Sequence, residues 1–227
     1  MAIDVKKLRA NLDVVETRIA RACLRAGRQR SAVTLVAVTK KVSAELAALL
    51  PELGVFDLGE NRPQELWRKT EVLPRVVRWH LIGHLQRNKI EKTLPLVEMI
   101  HAVDSVRLLQ ALEQEAAKQQ KHVPVLLEVN ASGEASKQGF DTSDLPGLVP
   151  IMSELKHVQI RGLMTMAALQ EPEACRPTFI KLCQLRDQLR SQTLHSIEHL
   201  SMGMSNDFEI AIEEGATFVR LGTVLFQ

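Results

Sequence analysis

A lysine follows a short apolar run near the start of the chain, and this position is unusual. Residues 34–39 read Thr-Leu-Val-Ala-Val-Thr, which favours a buried β-strand, and Lys40 and Lys41 come next. Desolvating an ammonium is costly, so a lysine at such a place is favoured in its uncharged form. An uncharged amine is a nucleophile that condenses with aldehydes to form a Schiff base. The alternative is that Lys40 only marks where the strand meets water.

Two later segments carry the glycine and hydroxyl residues that are typical of phosphate-binding loops. Residues 201–205 read Ser-Met-Gly-Met-Ser, and residues 222–223 read Gly-Thr. Glycine lets the backbone approach an anion closely, and the N-terminus of a helix offers unpaired N–H groups. Ser205 also stands where it would cap a helix over residues 205–213, and capping is the alternative to a phosphate contact.

Arg220 lies inside an apolar run, between Val219 and Leu221. A free charge would be costly there, so the guanidinium needs a partner. A guanidinium that faces a pyridine nitrogen would donate to it and keep it unprotonated, which makes the ring a weak electron sink. The alternative is a buried ion pair with a carboxylate such as Glu128. A nucleophilic lysine, a phosphate site and this arginine together fit pyridoxal 5′-phosphate (PLP).

These residues are far apart in sequence, and the pattern predicts the scaffold that would bring them together. We predict eight strands that alternate with helices, and an amphipathic helix over residues 4–26 that precedes them. The strands are predicted at residues 34–39, 55–58, 78–82, 98–103, 123–130, 159–165, 197–201 and 217–221. The helices between them are predicted at residues 43–50, 62–72, 86–92, 105–119, 144–154, 172–191 and 205–213.

Strands that are joined through helices run parallel, and eight such units match a single (β/α)8 TIM-type barrel with an extra N-terminal helix. An open doubly wound sheet is the alternative. The barrel is favoured because no glycine-rich dinucleotide motif follows the first strand. In a barrel, the loops after the strands build the active face, and the loops after strands seven and eight commonly bind phosphate. We therefore expect Lys40 and the two glycine-containing loops to share that face.

The composition limits the class of protein. The chain of 227 residues is 45% hydrophobic and 25% charged, and its net charge is +2. These values are typical of a soluble globular protein and give no argument for a nucleic-acid or membrane partner. Three scattered cysteines, Cys23, Cys175 and Cys183, indicate a reducing compartment. We expect one domain over residues 1–227, monomeric and in the cytoplasm.

Several motifs resemble the YggS/PROSC family. They are Leu-Val-Ala-Val-Thr-Lys at 35–40, Phe-Asp-Leu-Gly-Glu-Asn at 56–61, Trp-His-Leu-Ile-Gly-His-Leu-Gln at 79–86, Lys-Gln-Gly at 137–139, Arg-Gly-Leu-Met at 161–164, Leu-Ser-Met-Gly-Met-Ser-Asn-Asp at 200–207 and Val-Arg-Leu-Gly-Thr at 219–223. The resemblance implies a PLP-binding barrel similar to the N-terminal domain of bacterial alanine racemase. It also implies a part in vitamin B6 and amino-acid homeostasis without established catalysis.

The resemblance assigns roles to single residues. Lys40 matches the Schiff-base lysine, and Lys41 is its rival, although successive strand residues point to opposite faces. Arg220 matches the arginine at the pyridine nitrogen, and Lys137 matches a lysine that could pass the aldehyde to a partner. Asn61 and Ile82 match ring neighbours, with helix capping and core packing as their alternatives. The implied cofactor contacts are Lys40, Asn61, Ile82, Ser201, Gly203, Ser205, Arg220, Gly222 and Thr223.

We expect a protein that holds or delivers PLP, with apo-PLP enzymes or a regulatory protein as partners. Racemisation needs a base on each face of the cofactor adduct, and in alanine racemase one of them is a tyrosine from a second domain. This sequence contains no tyrosine, and it ends soon after the last strand. A racemase-like enzyme is the main alternative. A class I aldolase would use Lys40 with Glu60 and Asp104.

Two further alternatives concern charged and metal-binding residues. The basic face of the first helix, with Arg18, Arg21 and Arg25, would suit a regulator that binds a protein. The histidine pairs at 80 and 84 and at 195 and 199 have the spacing of metal ligands on a helix, but no third ligand is suitably placed. We expect no metal.

Overall fold

The computed structural model describes residues 4–134, 138–168 and 170–227, and its strands form a closed parallel barrel. The strands pair in chain order, and the first also pairs with the eighth. They are β1 (Thr34–Val38), β2 (Asp57–Glu60), β3 (Arg78–Leu81), β4 (Met99–Val103), β5 (Val123–Glu128), β6 (Val158–Met164), β7 (His199–Ser201) and β8 (Phe218–Leu221). The predicted (β/α)8 barrel is confirmed, and each predicted strand overlaps an observed one.

Helices surround the barrel and connect its strands. They are α1 (Val5–Arg25), α2 (Ala44–Glu52), α3 (Pro63–Thr70), α4 (Ile90–Thr93), α5 (Val106–Lys118), α6 (Leu145–Glu154), α7 (Arg176–Gln192), α8 (Phe208–Glu213) and α9 (Thr223–Phe226). The short α9 was not expected from the sequence. Among the helices of the described residues, none is long and apolar enough to cross a bilayer.

Helix α1 completes the outer ring by packing beside α8 and α9. Its buried side chains recur at helical spacing, and the Asp4 side chain caps its start by accepting a hydrogen bond from the Lys7 N–H at 2.8 Å. Two of the arginines on its basic face form ion pairs with α8, Arg18 with Glu209 at 2.7 Å and Arg25 with Glu213 at 2.6 Å. These two arginines therefore join neighbouring helices within the chain.

Side-chain alternation divides the strands into an outer and an inner layer. Outward residues such as Leu35 and Ala37 belong to the main core between strands and helices. A separate apolar cluster fills the barrel itself. Its members are Val36, Met99, Ala102, Leu126, Met164 and Phe218. Polar inward residues lie above and beside this cluster, and they build the site.

Candidate functional site

Lys40 lies in a tight turn directly after β1. The Val42 N–H donates to the Thr39 carbonyl oxygen at 3.1 Å, so Lys40 and Lys41 are the central residues of the turn. Both side chains are exposed, so the desolvation expected for Lys40 is not observed. Strand alternation does not separate the two lysines, because β1 ends at Val38. The preference for Lys40 therefore stays a prediction.

A buried ion pair anchors this turn from the helix side of the barrel. The Lys69 Nζ donates to the Thr39 carbonyl oxygen at 2.7 Å and to Glu60 Oε1 at 2.6 Å, and the Thr39 hydroxyl donates to the same Oε1 at 2.6 Å. Lys69 and Glu60 are 1% and 0% exposed. Among the described residues, Glu60 Oε2 has no hydrogen-bond partner. Glu60, which an aldolase would use beside Lys40, is thus occupied by Lys69.

The loop after β7 is bound to the neighbouring strand and to the last helix. Gly203 has φ +90°, and a Cβ there would lie 2.6 Å from the Ala211 Cβ. The Arg220 N–H donates to the Gly203 carbonyl oxygen at 3.0 Å. The Ser205 hydroxyl accepts a hydrogen bond from the Val224 N–H, in the first turn of α9, at 3.4 Å. Ser205 therefore connects the two glycine-containing loops.

The predicted capping roles at two helices are wrong. Helix α8 begins at Phe208, and the residue that precedes it is Asp207, whose Oδ1 accepts from the Met204 N–H at 2.6 Å. Ser205 lies before that turn and caps nothing on α8. Helix α3 begins at Pro63 and follows Arg62, so Asn61 does not open it.

The loop after β8 packs against the end of β1. A Cβ at Gly222 would lie 3.1 Å from the Val38 carbonyl oxygen, two residues before Lys40. Gly222 precedes α9, and Thr223 is exposed in its first turn. Because β8 pairs with both β1 and β7, the segments that carry Lys40, Ser205 and Gly222 meet at one end of the barrel.

Arg220 lies inside the barrel below these loops, 4% exposed. Its Nη1 donates to the Ser201 hydroxyl at 2.6 Å, and its Nη2 donates to the Thr165 carbonyl oxygen at 2.9 Å. Burial lowers the pKa of Arg220 to about 10, against the opposing charges of Asp207 and Glu128. The hydrogen-bond partners of the guanidinium in the described ranges are thus a hydroxyl and a backbone carbonyl, so the alternative of a direct Glu128 pair is wrong.

Ser201 binds the Arg220 guanidinium and not the phosphate loops. Its side chain is fully buried, and its hydroxyl also lies 2.8 Å from His101 Nδ1. A phosphate contact through this hydroxyl is not supported by the geometry.

Ile82, a predicted ring neighbour, lies close to the barrel interior. A Cβ added to Gly59 would lie 2.9 Å from the Val36 Cγ1, which belongs to the interior cluster, and 3.4 Å from the Ile82 Cδ1.

An open cleft lies beside the mouth of the barrel, between the loops after β2 and β3. Its volume is about 470 Å³, and Asn61 and His84 are among its lining residues. The exposed His84 Nδ1 lies 2.7 Å from Asp104 Oδ2. Asp104, the second residue that an aldolase would use, is thus paired with His84. Lys137 lies outside the described residues.

The sequence analysis missed a set of buried polar groups inside the barrel. Asp57 Oδ1 lies 3.0 Å from His80 Nε2, and His80 Nδ1 lies 2.9 Å from His101 Nε2. Both histidines are at most 2% exposed. The sequence did contain a signal for these groups. His80 and Arg220 occupy inward positions of their strands, and a polar residue buried there needs a hydrogen-bond partner. In the described part of the chain, no three or more His, Cys, Asp or Glu side chains form a group that could hold a metal ion.

Comparison with known proteins identifies the relatives of this barrel. The model of the alanine racemase N-terminal domain matches residues 3–227. A pyridoxal phosphate homeostasis protein of Aquifex aeolicus is 42% identical over 95% of both chains. One from Pseudomonas aeruginosa is 38% identical over 95% of this chain and 93% of its own.

Solved structures agree with these relatives. A protein from Bifidobacterium adolescentis, described as unknown, has a TM-score of 0.92 at 37% identity, covering 99% of this chain and 97% of its own. PipY of Synechococcus elongatus, solved with PLP bound, has a TM-score of 0.81 at 34% identity, covering 94% of this chain and all of its own. Alanine racemase of Clostridium difficile shares the fold alone, with a TM-score of 0.74 at 16% identity, covering 97% of this chain and 55% of its own. The chain therefore belongs to the pyridoxal phosphate homeostasis protein family, the YggS/PROSC family, whose barrel is the alanine racemase N-terminal domain.

Proposed function

We propose that the protein binds PLP through Lys40 and holds or delivers it, as part of vitamin B6 and amino-acid homeostasis. The observation that carries this proposal is the convergence of three segments at one end of the barrel, above a buried arginine. They are the turn with Lys40, the loop with Ser205 and the loop with Gly222. The relatives' names and the PLP in the PipY structure support the same cofactor.

The chemistry of the residues fits this cofactor group by group. Lys40 would hold the aldehyde carbon, and the Ser205 hydroxyl would hold the phosphate with the backbone at Gly222 and Thr223. Arg220 would face the ring nitrogen, because its two observed bonds leave further N–H groups on the guanidinium free to donate. When bound, PLP supplies an aldehyde to which an uncharged amine can add.

Arg220 favours binding over carbanion chemistry. With a pKa of about 10, its guanidinium stays charged at neutral pH and only donates hydrogen bonds. It would therefore leave the ring nitrogen without a proton. A neutral ring withdraws electrons weakly, so the site would stabilise a carbanion poorly. Arg220 thus suits a protein that stores an aldehyde.

Lys40 is placed for exchange with an acceptor. Its side chain is exposed, in a turn at the surface of the barrel mouth. An amine of an apo-PLP enzyme could reach a cofactor held there, since an exposed site needs no opening motion. We infer that the protein acts in the cytoplasm, as a monomer, and releases PLP faster than enzymes that enclose it.

A titration of the cofactor-free protein with PLP tests this function. The wild type and Lys41→Ala should develop the visible absorbance of lysine-bound PLP, and Lys40→Ala should lose at least nine-tenths of it. Holo-protein mixed with an apo-PLP enzyme should restore that enzyme's activity. Absorbance that survives in Lys40→Ala, or that is lost only in Lys41→Ala, would contradict the assignment.

We propose binding without turnover because the sequence offers no tyrosine as a second base. A racemase assay decides between this and the racemase-like alternative. Holo-protein incubated with L-alanine should form D-alanine no faster than free PLP does, within about tenfold. Turnover near 1 s⁻¹ or faster, the range of ordinary enzymes, would favour the racemase.

A further inference from the structure

A continuous row of hydrogen-bonded side chains crosses the barrel interior. It starts at the end of the barrel opposite Lys40, where Asp57 and Arg78 are the first residues of their strands and form an ion pair. It ends at Arg220, below the mouth. The row consists of Asp57, His80, His101, Ser201 and Arg220, and each neighbouring pair is joined by a contact of 3.0 Å or less.

The strand geometry explains how five strands contribute to one row. Asp57, His80 and Ser201 occupy inward positions, on the face opposite the outward core residues of their strands. His101 is also inward, because in β4 it follows the outward Ile100 and stands two residues after the inward Met99. The row is therefore fixed by the backbone of the barrel.

The hydrogen bonds of the row can run in only one direction if Asp57 is ionised and both imidazoles are neutral. The carboxylate accepts, so His80 carries its proton on Nε2 and accepts at Nδ1. His101 must then donate from Nε2 and accept at Nδ1, and Ser201 donates its hydroxyl proton to His101. The lone pairs of the Ser201 oxygen remain for the N–H of Arg220.

The surroundings keep the row in this state. Burial opposes the ionisation of Asp57, but hydrogen bonds from His80 and Arg78 outweigh it and lower its pKa to about 2. Burial lowers the pKa of His101 well below its ordinary value, and the charge of Arg220 acts in the same direction. Phe218 packs against both rings and shields them from water. Its ring centroid lies 5.7 Å from that of His80 and 5.3 Å from that of His101.

We propose that Asp57 sets the tautomers of His80 and His101, and that these residues with Ser201 hold the Arg220 guanidinium in position for the ring nitrogen. This inference rests on the proposed function for the identity of the ring. In the reversed row, His101 would donate to Ser201 and displace the hydroxyl proton towards the Arg220 N–H. Asp57, His80, His101 and Ser201 are thus positioning residues that act on the cofactor through Arg220.

Nitrogen NMR of the cofactor-free protein tests the tautomers without PLP. Long-range spectra that correlate ring nitrogens and carbon-bound protons report which nitrogen is protonated, and His80→Gln and His101→Gln assign the signals. Both rings should carry the proton on Nε2, and His101 should not titrate between about pH 6 and pH 8. A proton on Nδ1 of either ring, or a titration of His101 in that range, would overturn the proposal.

Cofactor binding tests the link to Arg220. Ser201→Ala and His101→Phe should each shift the pH profile of the bound-PLP absorbance and weaken PLP binding roughly tenfold. The dissociation constant of the double variant for PLP should exceed that of either single variant by no more than about twofold, because both changes break the same row. The control is His199→Phe, a barrel histidine that contacts Phe218 outside the row; it should bind like the wild type.

The outcomes separate this inference from the proposed function. If the single variants weaken binding independently, so that their effects multiply, the row does not act as a unit and the inference fails. If the wild type does not bind PLP at all, the proposed function fails while the NMR result stands. Thermal unfolding shows whether His101→Phe is folded, and Ser201→Ala provides the test if it is not.

Discussion

The ammonium of Lys69 lies 2.7 Å from the carbonyl oxygen of Thr39, the residue that precedes Lys40. Lys69 comes from helix α3 and shares the buried space with Glu60. A buried cation therefore holds the backbone from which the predicted PLP lysine projects. The position of Lys40 depends on this contact as well as on β1.

Replacing Lys69 should destabilise the fold strongly. Lys69→Met leaves the Glu60 carboxylate buried without its cation, which costs about 3–5 kcal/mol in comparable pairs. Urea unfolding measures this change. The control Lys118→Met, at a lysine that is 74% exposed, should change the free energy of unfolding by less than about 0.5 kcal/mol.

A second substitution separates the lost ion pair from lost packing. Adding Glu60→Gln to Lys69→Met removes the unpaired charge and should recover at least about 1 kcal/mol. If Lys69→Met costs no more than Lys118→Met, the buried pair does not anchor the turn.

The contribution of Ser205 should depend on the phosphate of the ligand. A hydrogen bond to a charged group is worth about 1.5–3 kcal/mol, so Ser205→Ala should weaken PLP binding by roughly 10- to 100-fold. The same change should leave the binding of pyridoxal, which lacks the phosphate, nearly unchanged. An equal loss for both ligands would mean that Ser205 only orders the loop that it joins to Val224.

The hydrogen bonds from His80 and Arg78 to Asp57 should make the free energy of unfolding depend on pH in the acid range. The folded pKa of Asp57 is about 2, against an ordinary value of 3.8. As the pH falls, the unfolded chain therefore binds the proton before the folded chain does. The stabilisation is complete above about pH 3.8 and is lost as the pH falls towards 2.

Urea unfolding at several pH values measures this dependence. In Asp57→Asn the stability should fall less steeply over that window than in the wild type. The exposed Asp13→Asn should follow the wild type. A wild-type slope in Asp57→Asn would show that Asp57 is not the group responsible.

Local patterns predicted the barrel because they are largely set by the chain itself. Apolar runs separated by amphipathic segments place the strands and helices, and α1 matches its predicted span to within one residue at each end. Strand β2 begins two residues later than predicted and includes Gly59 and Glu60, which lie beyond the predicted span of 55–58. Gly59 fits in the strand because Val36 and Ile82 fill the space above it.

Contacts between distant elements could not be read from the sequence. Lys69 lies on an amphipathic helix, where a lysine is normally exposed, and only the closed barrel shows that Glu60 is within its reach. His80 and His101 meet because β3 and β4 are paired neighbours and both side chains point into the barrel. The capping alternative for Ser205 is wrong because α8 begins after Asp207, and the bond from the Met204 N–H to Asp207 cannot be read from the sequence.

The most direct test of PLP binding through Lys40 is mass spectrometry after borohydride reduction of the PLP-loaded protein. Reduction fixes PLP on the lysine that holds it, and trypsin does not cleave after a modified lysine. We predict one dominant modified peptide that spans residues 31–41, with PLP on Lys40. A modified peptide that begins at Lys41, or label spread evenly over the exposed lysines, would contradict the account.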